Sequence, residues 1–103
     1  MEHRRAQRFP MQLPLAVTRA GAEWTPLSGC TQNISSAGVL FTTEQERDLG
    51  DLIEYVITLP TAARHGVTIR CNGKVVRCER TDQAPAPYQV AVTLERWEFV
   101  RSD

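Results

Sequence analysis

Alternation is the feature that most constrains this chain. Tyr88, Val90, Val92 and Leu94 interleave with Gln89, Ala91, Thr93 and Glu95, the two-residue period of a strand with one face in a core. Leu13, Leu15 and Val17 repeat the pattern, and Pro10 and Pro14 disfavour helix there and suit a strand entry or edge. Ile53, Tyr55, Val56, Ile57 and Thr58 form a β-branched and aromatic run bounded by Gly50 and Pro60. With no long helical period, short alternating runs divided by turn residues predict an all-β barrel or sandwich.

The predicted strands cover residues 12–19, 27–34, 39–43, 52–59, 67–80 and 88–95. Turns fall at Ala20-Gly21-Ala22, at the polar cluster Asn33 to Gly38, in the charged stretch Glu44 to Asp51, at residues 60–66 and at Pro85-Ala86-Pro87. Asn72-Gly73 has two readings. Between apolar runs Asn-Gly is the strongest short-range hairpin signal, while one long strand with a glycine bulge is the competing reading. The residues alone favour the hairpin. Arg96-Trp97-Glu98-Phe99-Val100 reads as a short terminal helix whose aromatics cover one open end of the body.

A chain of 103 residues with 42% apolar content is one domain, large enough to bury a core without metals or disulfides. Lys+Arg and Asp+Glu are both 12. That balance argues against a long polyanion as partner, because nucleic-acid affinity comes largely from phosphate neutralisation. The charge is locally uneven, however: Arg4, Arg5 and Arg8 crowd the first eight residues against Glu2 alone. A basic cluster on a neutral body suits a small anionic ligand; a solvated, frayed terminus is the plainer reading. Three cysteines, Cys30, Cys71 and Cys78, argue against a disulfide framework and match no metal knuckle. They are expected to be reduced and mostly buried. The start of the chain has no apolar stretch of a signal peptide, and no run approaches the ~20 residues of a membrane span; a cytoplasmic setting fits. No nucleophile elbow, zinc-binding helix, phosphate loop or dinucleotide fingerprint is present. His3 and His65 are the only histidines, one on the terminal arm and one in a loop. Neither catalysis nor a metal site is expected.

Two clusters exceed what a bare barrel needs. Arg4-Arg5-Ala6-Gln7-Arg8 has an R-x-x-x-R spacing, and Asn33-x-Ser35-x-x-Gly38 follows at the turn between two predicted strands. In order and spacing this pair resembles the signature of PilZ domains. The similarity extends to Val39-Leu40-Phe41 after the glycine, to Leu49-Gly50-Asp51-Leu52, to the G-x-V-x-R of Gly73-Lys74-Val75-Val76-Arg77, and to the last strand Tyr88-Gln89-Val90-Ala91-Val92. The resemblance implies a six-stranded antiparallel β-barrel with a short C-terminal helix. It divides the chain into a mobile arginine-bearing arm at 1–10, a barrel at 11–95 and a helix or tail at 96–103. It also implies one long strand through Asn72-Gly73 and overrules the hairpin.

The function implied is that of a bacterial receptor for cyclic di-GMP, a ligand rather than a cofactor, with Arg4, Arg5, Arg8, Asn33, Ser35 and Gly38 as the binding residues and a protein partner downstream. The chemistry agrees. The guanidinium fork matches the O6 and N7 acceptors of a guanine edge, pairs with phosphate and stacks on bases. Asn33 stands where the family also uses Asp, and its amide accepts from guanine less strongly than a carboxylate. In the competing view Asn33 and Ser35 only build the turn and Gly38 only supplies a positive φ. Two other functions compete: a PilZ-like interaction module that binds no nucleotide, and a small barrel for single-stranded nucleic acid. The latter needs a basic groove with exposed aromatics, whereas Trp24, Trp97, Phe41 and Tyr55 are expected in the core or capping it.

Overall fold

The computed structural model describes residues 9–21, 23–59 and 67–101. The arginines at 4, 5 and 8, both histidines and the whole 60–66 loop lie outside the described residues.

The strands follow the alternation closely: β1 (Phe9–Pro10), β2 (Pro14–Ala20), β3 (Glu23–Ile34), β4 (Gly38–Thr43), β5 (Leu52–Leu59), β6 (Val67–Arg80), β7 (Tyr88–Thr93) and β8 (Arg96–Arg101). Six of them close into an antiparallel barrel in the order β3-β2-β5-β6-β7-β4, with β4 returning to β3. The short β1 continues the sheet beyond β3, and β8 pairs along β6.

The inward positions build the core. Val17, Phe41, Tyr55, Val75 and Val90 are fully buried, and the rings of Phe41 and Tyr55 stack at 6.5 Å. The buried polar groups are satisfied. Thr31 Oγ1 accepts from the Leu13 amide (2.8 Å) and donates to the Met11 carbonyl (2.6 Å), which clamps the segment between β1 and β2 onto β3. The Tyr55 hydroxyl donates to the Thr93 carbonyl at 3.0 Å.

Burial, with lesser contributions from Cys71 and Glu95, pushes the Tyr55 phenol well above its ordinary value, and burial raises the Cys71 thiol to about 11. In both groups the folded state holds the proton more tightly than the unfolded chain. Their stabilisation is therefore complete below the ordinary values of 9.0 and 10.0 and is lost as the pH climbs past them. Urea unfolding is expected to give a constant midpoint from neutrality to about pH 9 and a falling one above it, with the fall reduced in Tyr55→Phe. A flat profile through pH 11 in the wild type contradicts this burial.

Asn72-Gly73 lies inside one long strand, not at a hairpin. The N-terminal half of β6 pairs with β8 through residues 67–72, and its C-terminal half pairs with β7 from Val75 onward. Gly73 is the point of exchange.

The predicted C-terminal helix is not formed. Residues 96–101 are β8, and no helix occurs among the described residues. The reason lies in β6: β7 leaves it at Gly73, so the backbone groups of residues 67–72 need a second partner, and β8 supplies it. A helix of so few residues, rich in aromatic and β-branched side chains, has little stability to set against that pairing. Trp97 and Phe99 alternate with Glu98, a strand period that is short enough to be overlooked. Opposite Cys71 and Ile69 they face inward and flank an apolar cleft without closing it. Phe41 and Tyr55 are core as expected, while Trp97 stays half exposed, its ring edge-on to Phe99 at 5.3 Å.

Candidate ligand-binding groove

The β3–β4 turn is held by Ser35. Its Oγ accepts from the amides of Ala37 (3.1 Å) and Gly38 (3.2 Å) and donates to the Gly38 carbonyl (3.3 Å), and its own amide donates to that carbonyl at 2.9 Å. One donor and two acceptor positions exhaust a hydroxyl, so in this structure Ser35 is a turn builder. Ser35→Ala is expected to lower stability by about 1 kcal/mol, read as a shift in the urea midpoint. An unchanged midpoint means that the turn does not rely on the hydroxyl.

Gly38 does not carry a positive φ, so the conformational reading of it fails. Its small size has a different cause. A Cβ at this position would stand 2.5 Å from the Val92 carbonyl oxygen, and glycine lets β4 lie against β7.

Asn33 reaches the surface because of a β-bulge. Thr31 pairs with Phe41 and Asn33 with Leu40, which leaves Gln32 as an extra residue. Strict alternation would send Asn33 inward with buried Thr31; the inserted residue turns it outward. A second bulge does the same on β6. Val75 pairs with Val92 and Arg77 with Ala91, so Val76 is extra and Arg77 faces out. Leu40 pairs with Ala91. The two bulges thus set Asn33, Leu40, Ala91 and Arg77 in one outward row across four strands, roughly 14 Å from end to end at the usual strand spacing.

This row lies in an open groove of about 200 Å³ that also takes in Ser35, Gly38 and Thr93. The fold brings the three predicted turn residues into one groove. Arg4, Arg5 and Arg8 lie outside the described residues. Phe9, the residue that follows them, pairs with Ile34, and Pro10 pairs with Asn33. Arg77 was missed as a groove residue although its G-x-V-x-R pattern is visible: spacing alone puts it on the inward face with Val75, and only the bulge reverses that. Arg77 is held by one exposed ion pair, Nε to Glu79 Oε1 at 3.8 Å. Such pairs contribute ~0–1 kcal/mol, so the guanidinium is readily redirected. Among the described residues no cluster of side chains is suited to a metal, and no helix is long and apolar enough to cross a membrane.

The PilZ domain model matches residues 2–96. The solved structure of Bacillus subtilis inhibitor of motility (MotI/DgrA) is similar in fold, with a TM-score of 0.73 at 15% identity. The match covers 93% of this chain and 44% of the MotI/DgrA chain, so this chain spans less than half of that protein. No curated protein matches the sequence. With the family model covering nearly the whole barrel, this chain belongs to the PilZ domain family.

Proposed function

We propose that the domain is a receptor for cyclic di-GMP, the ligand its family generally binds, and that it passes occupancy to a protein partner without catalysis. One observation carries the reading: the outward row from Asn33 to Arg77 begins at the strand end where the arginine-bearing segment joins the sheet.

Leu40 and Ala91 give the groove a low aliphatic floor against which a purine can lie. Asn33 at one end offers both an amide acceptor and donors, and Arg77 at the other offers a cation for a phosphate. An open groove desolvates only one side of a flat ligand. Arg4, Arg5 and Arg8 are the groups suited to the other side, through guanine-edge forks, phosphate pairing and stacking. In this scheme Ser35 and Gly38 act chiefly by fixing the turn and the closeness of β4 to β7. An arm that closes over ligand alters the surface beside β1, which is the output a partner reads. MotI/DgrA is an inhibitor of motility; a similar output through a protein partner is proposed here.

Isothermal titration calorimetry of the 103-residue chain with cyclic di-GMP tests the reading. Saturable binding near micromolar, ~8 kcal/mol, is expected, along with a melting shift that grows with ligand. No heat and no shift at ligand ~100-fold above that concentration leaves the interaction-module reading in its place.

A further inference from the structure

We propose that β8 is a self-association edge: two copies of the domain pair antiparallel through it, in the register that sets Trp97 opposite Trp97.

Three observations point to it. β8 pairs with β6 on one side, and among the described residues no strand pairs with its other side. Unlike the barrel strands, it therefore presents a row of backbone donors and acceptors to a newcomer. It contains no proline, lysine or bulge to block such pairing. Its inward side chains are large and apolar yet exposed, Trp97 at 54% and Phe99 at 61%. They flank a cleft of about 370 Å³ lined almost wholly by apolar groups, among them Met11, Ile34, Ile69 and Leu94. Among the described residues nothing covers this patch, an arrangement that usually marks an interaction site.

The charges select the occupant and its register. In a continuous antiparallel sheet, directly opposed residues share a face. A two-fold axis through β8 must then pass through a residue rather than between two. Through Arg96 or Glu98 it would oppose like charges. Through Phe99 it would oppose Glu98 to Val100. Through Trp97 it also opposes Glu95 to Phe99, but it alone sets Arg96 against the second copy's Glu98, twice, and brings the two indoles together. Glu98 already lies 3.5 Å from Arg70 of its own sheet, with both side chains well exposed; a carboxylate has acceptor positions for both cations. A second copy of this chain thus complements the edge in backbone, apolar surface and charge.

Sedimentation of the 103-residue chain over a concentration series up to roughly 100 μM reads the proposal directly. The wild type is expected to pass from monomer to twice the monomer mass. Glu98→Arg sets arginine against arginine and Arg96→Glu sets glutamate against glutamate, so each alone is expected to associate at least tenfold more weakly. An equimolar mixture of the two variants restores both opposite pairs and is expected to recover the doubled mass as a heterodimer. Circular dichroism checks that each variant is folded, and the wild-type series needs no variant. A wild type that remains monomeric throughout overturns the proposal. So does a dimer undiminished in both single variants, or a mixture of folded variants that stays monomeric.

Discussion

Gly73→Ala is expected to lower the stability of the domain by roughly 4 kcal/mol, a large part of the ~5–10 kcal/mol that a barrel of this size possesses. A Cβ at position 73 would lie 1.8 Å from the Thr93 carbonyl oxygen and 2.7 Å from its carbon. Both are backbone atoms, so no rotamer change relieves the overlap. The Thr93 carbonyl cannot retreat cheaply either, because it accepts the hydroxyl of fully buried Tyr55. Thr93 Oγ1 accepts from the Lys74 amide at 2.9 Å and donates to Glu95 at 2.8 Å, and the Glu95 amide donates to the Asn72 carbonyl at 2.9 Å. The corner between β7 and β8 is thus fastened across β6 at the one residue without a side chain. A methyl group there must separate the strands or break these bonds. Chemical denaturation checks the expectation, with Asn72→Ala, at an exposed neighbour, as a control near zero. A Gly73→Ala midpoint within experimental error of the wild type would mean that the strands cross elsewhere.

The same residue shows where reading the chain reaches its limit. Strand positions were legible because burial on one face imposes a two-residue period. Leu52–Leu59 and Val67–Arg80 stand where that period places them. The fate of Asn72-Gly73 was not legible from the dipeptide, because a hairpin turn and a crowded crossing both call for glycine; the resemblance decided it, and the Thr93 carbonyl explains it. β8 was misread as helix because its need for a strand arises in β6, far away in sequence. In the groove, Asn33, Ser35 and Gly38 were legible as a cluster. Their individual roles were not: a hydroxyl that closes a turn and one that meets a ligand occupy the same motif. Arg77 remained hidden because one inserted residue, Val76, reverses the face of everything after it, and a bulge leaves little trace in residue types.

Arg8→Ala is expected to abolish cyclic di-GMP binding in calorimetry, with Arg4→Ala nearly as severe and Arg77→Ala a milder, roughly tenfold loss, ~1.4 kcal/mol. The ranking follows from what each guanidinium has to do. A fork on a guanine edge or a phosphate is a charge-assisted, two-pronged contact contributing ~2–3 kcal/mol, and among the described residues the open groove has no group to cover the ligand's outer side. From a micromolar complex, removing one such contact weakens binding on the order of 100-fold, past practical detection. Arg77 stands at the far end of the row, exposed and shared with Glu79, so its loss removes a weaker phosphate contact in higher dielectric. Asn33→Asp, which restores the stronger acceptor toward guanine, is expected to tighten binding severalfold. Asn33 and Arg77 lie outside the buried core, so the melting temperatures of free Asn33→Asp and Arg77→Ala should stay within a few degrees of wild type. Retained affinity in both Arg8→Ala and Arg4→Ala would remove the arm from the mechanism. Retained affinity in Arg77→Ala alone would shrink the ligand's footprint to the turn, at the Asn33 end of the row.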